Sequence, residues 1–252
     1  MATELRILDI PVHSQTMEEA LEAVVAAARE PGLTQVAFVN ADCLNISVNH
    51  LEYRRLLQRL SMVLADGSGI RYAGKMLGTP VADNVNGTDL FPLLCERAVQ
   101  EGLSMYFLGA RPGVTDAMVE RLLRRYPGLK VAGHRDGFFS PEEEPEVIRT
   151  IAGSGAQMLF VAFGAPRQDL WIDAHRDELG VNMAMGVGGL FDFMSERMPR
   201  APKWMRTLGI EWVFRLLQEP GRLWRRYIIG NPLFLWRVWR WSKRRQTASM
   251  EK

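Results

Sequence analysis

The sequence predicts an α/β fold built on a parallel sheet with helices on both faces. Three observations carry this. Short β-prone apolar runs alternate with amphipathic helical runs as far as residue 192, the order expected of βαβ units. The strands end in short loops rich in Gly, Asn and Asp, whose turn chemistry hands each strand to the next helix. The charge is also divided along the chain: residues 197–252 hold 14 Lys/Arg against 3 Asp/Glu, a balance of +11, whereas the whole chain is +2 and residues 1–196 therefore carry −9. Six of the seven tryptophans also lie beyond residue 197. The expected organisation is a Rossmann-like α/β catalytic core over residues 1–196 and a helical, basic, membrane-associating appendage over 197–252.

The elements follow in order. Residues 6–12 predict a strand, and Thr16 with Glu19 forms a capping box for a helix over 18–29 that ends at Pro31 and Gly32. A strand over 35–39 stops at Asn40 and Asp42, and Asp42 is expected to cap a helix over 44–60. A strand over 62–65 is broken at residues 66–69 (DGSG) before a helix over 70–77. After a polar connector over 78–86, helices at 88–101, 115–126, 141–153 and 169–179 alternate with strands at 103–108, 129–132, 157–163 and 182–185. In the tail, helices are expected over 203–217 and from Pro220 onward.

In such sheets ligands bind outside the carboxyl ends of the strands, so the strand-end loops are where chemistry is sought. These loops hold Asn40, Asp42, Asp66, Ser68, Gly109, Arg111, Phe138, Arg167, Gln168, Gly188, Gly189 and Asp192. Asp66 leaves a buried strand before Gly-Ser-Gly and reads equally as a general base or as a helix cap. Asp192, between two phenylalanines, suits a hydrogen bond to a base or sugar and suits a turn equally well. The glycine turns at 109–113 and 186–189 can offer backbone N–H groups to phosphate, but neither has the full spacing of a dinucleotide or P-loop fingerprint.

Several classes are disfavoured. Cys43 and Cys95 have no metal-ligand or redox spacing, and the four histidines form no recognisable ligand or triad pattern. Neither metal nor cofactor is expected. There is no Asp-x-Asp clamp, so an enzyme that releases a diphosphate here must neutralise it with its own cations. The tail offers them: Arg222, Arg225 and Arg226 have helical spacing onto one face, and Arg215 precedes them. Arg/Trp-rich segments also suit an anionic membrane face, and Arg237, Arg240, Lys243, Arg244 and Arg245 are assigned to it. No apolar run approaches the ~20 residues of a spanning helix, and no export signal is recognisable. The location expected is cytoplasmic and peripheral on the inner face of the membrane. The acidic core and lack of RRM, KH or helix-turn-helix patterns argue against nucleic acid as a partner.

Taken together, several motifs resemble the WecG/TagA/CpsF family of bacterial glycosyltransferases. They are Asn40 with Asp42, the DGSG turn, NGTD at 86–89, GFF at 137–139, GAPRQ at 164–168, GVGGLFD at 186–192, and the Arg/Trp/Glu-Pro pattern from Arg200 to Tyr227. The resemblance implies an inverting, metal-independent transfer of a hexose, of N-acetylmannosamine type or related, from a UDP-sugar to a polyprenyl-diphosphate-linked saccharide in surface polysaccharide synthesis. It implies Asp66 as the general base, Asn40 and Gln168 as active-site polar groups, Phe138 stacked on uracil and Asp192 hydrogen-bonded to the base. It further implies that Arg215, Arg222 and Arg225 bind the leaving diphosphate from a closing appendage. Phe38 departs from a Thr found in some relatives, and Phe138 lacks the more usual Tyr hydroxyl. A non-catalytic nucleotide-binding protein that recruits polysaccharide machinery is the alternative, and the sequence leaves a homo-oligomer open.

Overall fold

The computed structural model describes residues 3–250, the side chains of residues 3, 206 and 248–250 excepted, so the outermost residues of the two expected domains lie outside the described residues. An eight-stranded sheet in the order β1-β2-β4-β3-β8-β7-β5-β6 forms its centre. The strands are β1 (Thr3–Ile7), β2 (Ile10–Ser14), β3 (Thr34–Val39), β4 (Met62–Ala65), β5 (Ser104–Gly109), β6 (Lys130–Arg135), β7 (Met158–Ala162) and β8 (Met183–Gly186). All pairings are parallel except β1 with β2. That exception corrects the single strand expected over 6–12. Leu8 and Asp9 both take positive φ (53° and 67°), which turns the chain into a two-residue hairpin.

Period-two alternation sorts the core into two faces. In β3, Val36 points into one apolar cluster with β5 Phe107 and β7 Phe160, while Ala37 and Val39 point into the other. The first face is covered by α1 (Met17–Arg29), α5 (Gly87–Glu101), α6 (Val114–Arg125) and α9 (Leu190–Met194). The opposite face carries α2 (Ala41–Asn49), α3 (Leu51–Arg59) and α4 (Ser68–Met76) at one end, and α7 (Glu144–Gly153) and α8 (Arg167–Ala174) at the other. The helix after β3 thus covers one face and the helix after β8 the other, although the strands are neighbours. Their divergence opens a crevice at the sheet's carboxyl edge, the topological switch point of an open α/β sheet.

The helix expected over 44–60 divides at His50, whose ring nitrogen accepts from Tyr53 N at 3.2 Å and caps the second half. The tail helix expected over 203–217 divides into α10 (Lys203–Thr207) and α11 (Glu211–Gln218), separated by Gly209 at φ +71°. α12 (Pro220–Trp224) then runs through a π-helical turn, Arg225–Gly230, into α13 (Asn231–Met250).

α13 is not simply a lipid-facing strip. Phe234 and Val238 are fully buried against the α2/α4 face, and Trp241 Nε1 donates to Asp9 Oδ1 at 3.1 Å. Arg237, assigned from sequence to the membrane, instead donates from Nη1 to Asn45 Oδ1 at 2.8 Å. The i, i+4, i+7 spacing of Phe234, Val238 and Trp241 explains the docking: those three share one helical face.

Gly109 is fixed by strand packing. It takes φ +131°, and a Cβ there would meet the Ala162 backbone at 2.7 Å. Gly109→Ala therefore forces β5 away from β7 at the head of the crevice. It is expected to lower unfolding stability by about 2–4 kcal/mol in denaturant titration.

Candidate active site

The crevice widens into a cavity of about 1360 Å³. Its walls come from loops after β3, β4, β5, β6, β7 and β8 together with the tail. It gathers Asn40, Asp66, Phe138, Gln168, Gly188, Gly189, Asp192, Arg215 and Arg222 from the sequence-derived set. Two members are absent from its lining. Gly109 is packed on Ala162, as described, and Arg225 is exposed beside Trp224, with its guanidinium carbon 5.3 Å from the ring centroid. Arg226 lines the cavity in place of Arg225. Helical spacing put Arg222, Arg225 and Arg226 on one face; in the π-helical turn beginning at Arg225 the step per residue is smaller than in an α-helix, and of the three Arg222 and Arg226 line the cavity.

Asp66 ends β4 and is held by its own backbone, Asp66 N donating to Val39 O at 2.9 Å. The chain leaves through Gly67 at φ +89°, whose N–H donates to Asn84 Oδ1. Asp66 is therefore not the cap of α4: Gly67 occupies the cap position without a side-chain bond. Its carboxylate faces Asn40 Nδ2 at 3.5 Å from Oδ2. Asn40 caps α2, its Oδ1 accepting from Asp42 N and Cys43 N at 3.1 Å each, which fixes the amide so that its nitrogen points to Asp66. Burial pushes the Asp66 pKa up; the Asn40 hydrogen bond, Arg226 and Arg215 oppose this, and Asp89 adds to it.

Gln168 ties two loops together. It is buried, and its Oε1 accepts from Gly164 N and Gly188 N at 3.0 Å each. The Gly188 N–H is thereby engaged by protein and not offered to phosphate, a change from the expectation for that turn. Gly186 is required beneath it, since a Cβ would stand 2.6 Å from Gln168 Nε2 and from Asp169 Oδ1.

The far end of the cavity is aromatic. Phe138 is 67% exposed at its rim, near Phe139, Phe163 and Arg167, with the Arg167 guanidinium stacked 4.8 Å from the Phe163 centroid. Asp192, half-buried, also lines the cavity, and its carboxylate takes no hydrogen bond from a described residue.

The tail forms the roof. Arg215 rises from α11 over the Phe193 ring, 5.0 Å from its centroid, and its Nη2 lies 3.5 Å from where a Gly189 Cβ would be. Arg200 Nη2 donates to Asp89 Oδ1 at 2.7 Å, and its Nε lies 3.8 Å from Glu211 Oε1, linking the heads of α5 and α11. Burial raises the Glu211 pKa, against Arg200 and Arg215. Sequence reasoning missed Asn84 and Glu211 as cavity residues, and named Arg226 by its spacing with Arg222 and Arg225 but not among the residues the family resemblance implies. Asn84 lay in a stretch read as a plain connector, and Glu211 appeared only as part of a motif. Among the described residues, no three His, Cys, Asp or Glu side chains come together to hold a metal ion.

A carboxylate, an aromatic rim and a roof of arginines thus meet in one crevice at the carboxyl edge of the sheet, where open α/β sheets bind their ligands. The chain belongs to the glycosyl transferase WecG/TagA/CpsF family, whose model matches residues 5–248. It is 36% identical over 176 residues, 70% of this chain and 67% of the relative, to an N-acetylglucosaminyldiphosphoundecaprenol N-acetyl-beta-D-mannosaminyltransferase of Bacillus spizizenii. The protein is thus a glycosyltransferase with an α/β core.

Proposed function

We propose that the protein transfers a hexose from a UDP-sugar to a polyprenyl-diphosphate-linked saccharide with inversion at the anomeric carbon. The observation that carries this reading is the single cavity holding Asp66 on its floor and Arg215, Arg222 and Arg226 on the tail side. Its volume of about 1360 Å³ accommodates a nucleotide sugar together with an acceptor sugar.

In this mechanism uracil lies at the aromatic rim, against Phe138, and Asp192 accepts a hydrogen bond from the base. The donor diphosphate points toward Arg215 and Arg222. Asp66 removes the proton of the acceptor hydroxyl as its oxygen attacks the anomeric carbon on the side opposite UDP. The C1–O bond to the diphosphate breaks, and the guanidinium groups balance the charge growing on that oxygen without a metal. Asn40 orients the Asp66 carboxylate, and Gln168 holds the loops after β7 and β8 in register.

The substrate's lipid end calls for a membrane surface, and the tail supplies apolar exposure for it. Trp204 and Leu217 project from α10 and α11, Leu208 from the turn between them, and Trp224, Ile228, Ile229, Trp236 and Trp239 from the segment that follows, beside exposed Arg240, Lys243, Arg244 and Arg245. Indole at headgroup depth with flanking cations fits peripheral binding. No helix among the described residues is long and apolar enough to cross a membrane.

A panel of UDP-sugars offered with a short-chain polyprenyl-diphosphate saccharide tests the function. One donor is expected to yield a product heavier by one hexose unit, with one UDP released per product. UDP binding with no product from any donor would support the recruiting role instead.

A further inference from the structure

The tail grips one particular helix. Asp42 and Asn45, three residues apart on one face of α2, are both held by it. Arg226 Nε lies 3.3 Å from Asp42 Oδ2, and Asn45 Nδ2 donates to Gly230 O at 2.7 Å. Arg237 Nη1 closes the grip, donating to Asn45 O at 3.1 Å and to Asn45 Oδ1 at 2.8 Å. The gripped end of α2 is the end capped by Asn40, whose other amide face meets Asp66. A continuous path therefore runs from the tail through Arg226, Asp42 and Asn40 to Asp66.

We propose that Arg226 is a positioning residue for the transfer reaction: held by Asp42, it sets a guanidinium in the cavity wall shared with Asp66 and steadies the α2 cap that aims Asn40 at that carboxylate. The proposal rests on the reading of Asp66 as the base and adds a role that Arg215 does not fill. Arg215 is aimed at the Gly189 loop and stacked on Phe193, on the side assigned to the leaving group. Arg226 is tied instead to the helix that carries the base's partner.

The groups facing Asp66 come from several elements. Burial disfavours its anion; Asn40 at the head of α2, Arg226 from the π-helical turn and Arg215 from α11 favour it; Asp89 from α5 disfavours it, and Glu211 from α11 is coupled to it. With Arg226 removed, the carboxylate keeps its burial and loses a cation, so it holds its proton to higher pH. A base is active only when ionised, so the loss of rate falls on the acid side.

The test compares wild type, Arg226→Gln, Arg226→Lys and Asp66→Asn. It measures kcat/KM across about pH 5 to 9 and the carbon-13 NMR titration of the Asp66 carboxyl, assigned by its disappearance in Asp66→Asn. Arg226→Gln is expected to move the acid limb and the carboxyl titration together to higher pH. The accompanying loss in kcat/KM is about tenfold at the acid end and narrows as pH rises. Arg226→Lys is expected to restore most of both. A uniform loss with neither titration moved overturns the proposal while Asp66, silent as Asn, remains the base. Full turnover by Asp66→Asn overturns the base reading, and this proposal with it.

Discussion

Asp66→Asn is expected to lower kcat by about 10³-fold while leaving UDP affinity within about threefold of wild type. Asn preserves the size and the contact with Asn40 but cannot accept the acceptor's proton, and positioned general bases contribute roughly 10²–10⁴-fold. UDP affinity is spared because the nucleotide is assigned to the Phe138 and Asp192 end, away from the β4 terminus. The sign with pH follows from the burial of Asp66. Its raised pKa means that the fraction ionised, and hence kcat/KM, falls as pH drops through that raised value, at higher pH than for an exposed Asp. Steady-state rates across pH with isothermal titration of UDP check both halves. A variant that loses UDP binding and turnover equally would place Asp66 in donor binding.

Arg215→Ala is expected to cost about 10²–10³-fold in kcat, the range for removing one preorganised donor to a developing charge. Arg215 is assigned this effect because its guanidinium is oriented by the Phe193 ring and reaches the Gly189 loop before any ligand arrives. Such preorganisation acts in the transition state, so kcat should fall more than KM rises. Arg225→Ala serves as the contrast, since Arg225 lies outside the cavity lining. It is expected to change kcat less than about threefold. If Arg225→Ala instead matched Arg215→Ala, the assignment of the diphosphate to Arg215 and Arg222, with Arg226 beside them, would fail.

Much of this site is legible in the sequence because strand ends are chemically marked. Asn40 follows Val39 and Asp66 follows Ala65, each a switch from a buried apolar to a polar residue, and β8 ends in the glycine-rich run at 186–189. Since parallel strands deliver all their carboxyl ends to one edge, reading each boundary correctly also reads which residues meet. The hairpin at Leu8 and Asp9 was illegible because positive φ at non-glycine residues has no strong local signal. Spacing grouped Arg226 with Arg222 and Arg225 and could not separate Arg225 from Arg226, because a π-helical turn is a tertiary accommodation and the sequence around it still looks α-helical. In the tail, the density of Arg and Trp masked the docking stripe of Phe234 and Val238, whose spacing is plain once the helix is seen to face α2 and α4.

In the proposed reaction protein cations, without a metal, face the departing UDP and the Asp66 carboxylate faces the incoming hydroxyl. The most direct measurement is the anomeric configuration of the product, determined by proton NMR after reaction in excess EDTA with the donor that the UDP-sugar panel identifies. Undiminished turnover and a product inverted relative to the donor are expected. Loss of turnover with chelator, restored by a divalent cation, would contradict the arginine-only neutralisation, and a product of retained configuration would contradict single displacement assisted by Asp66.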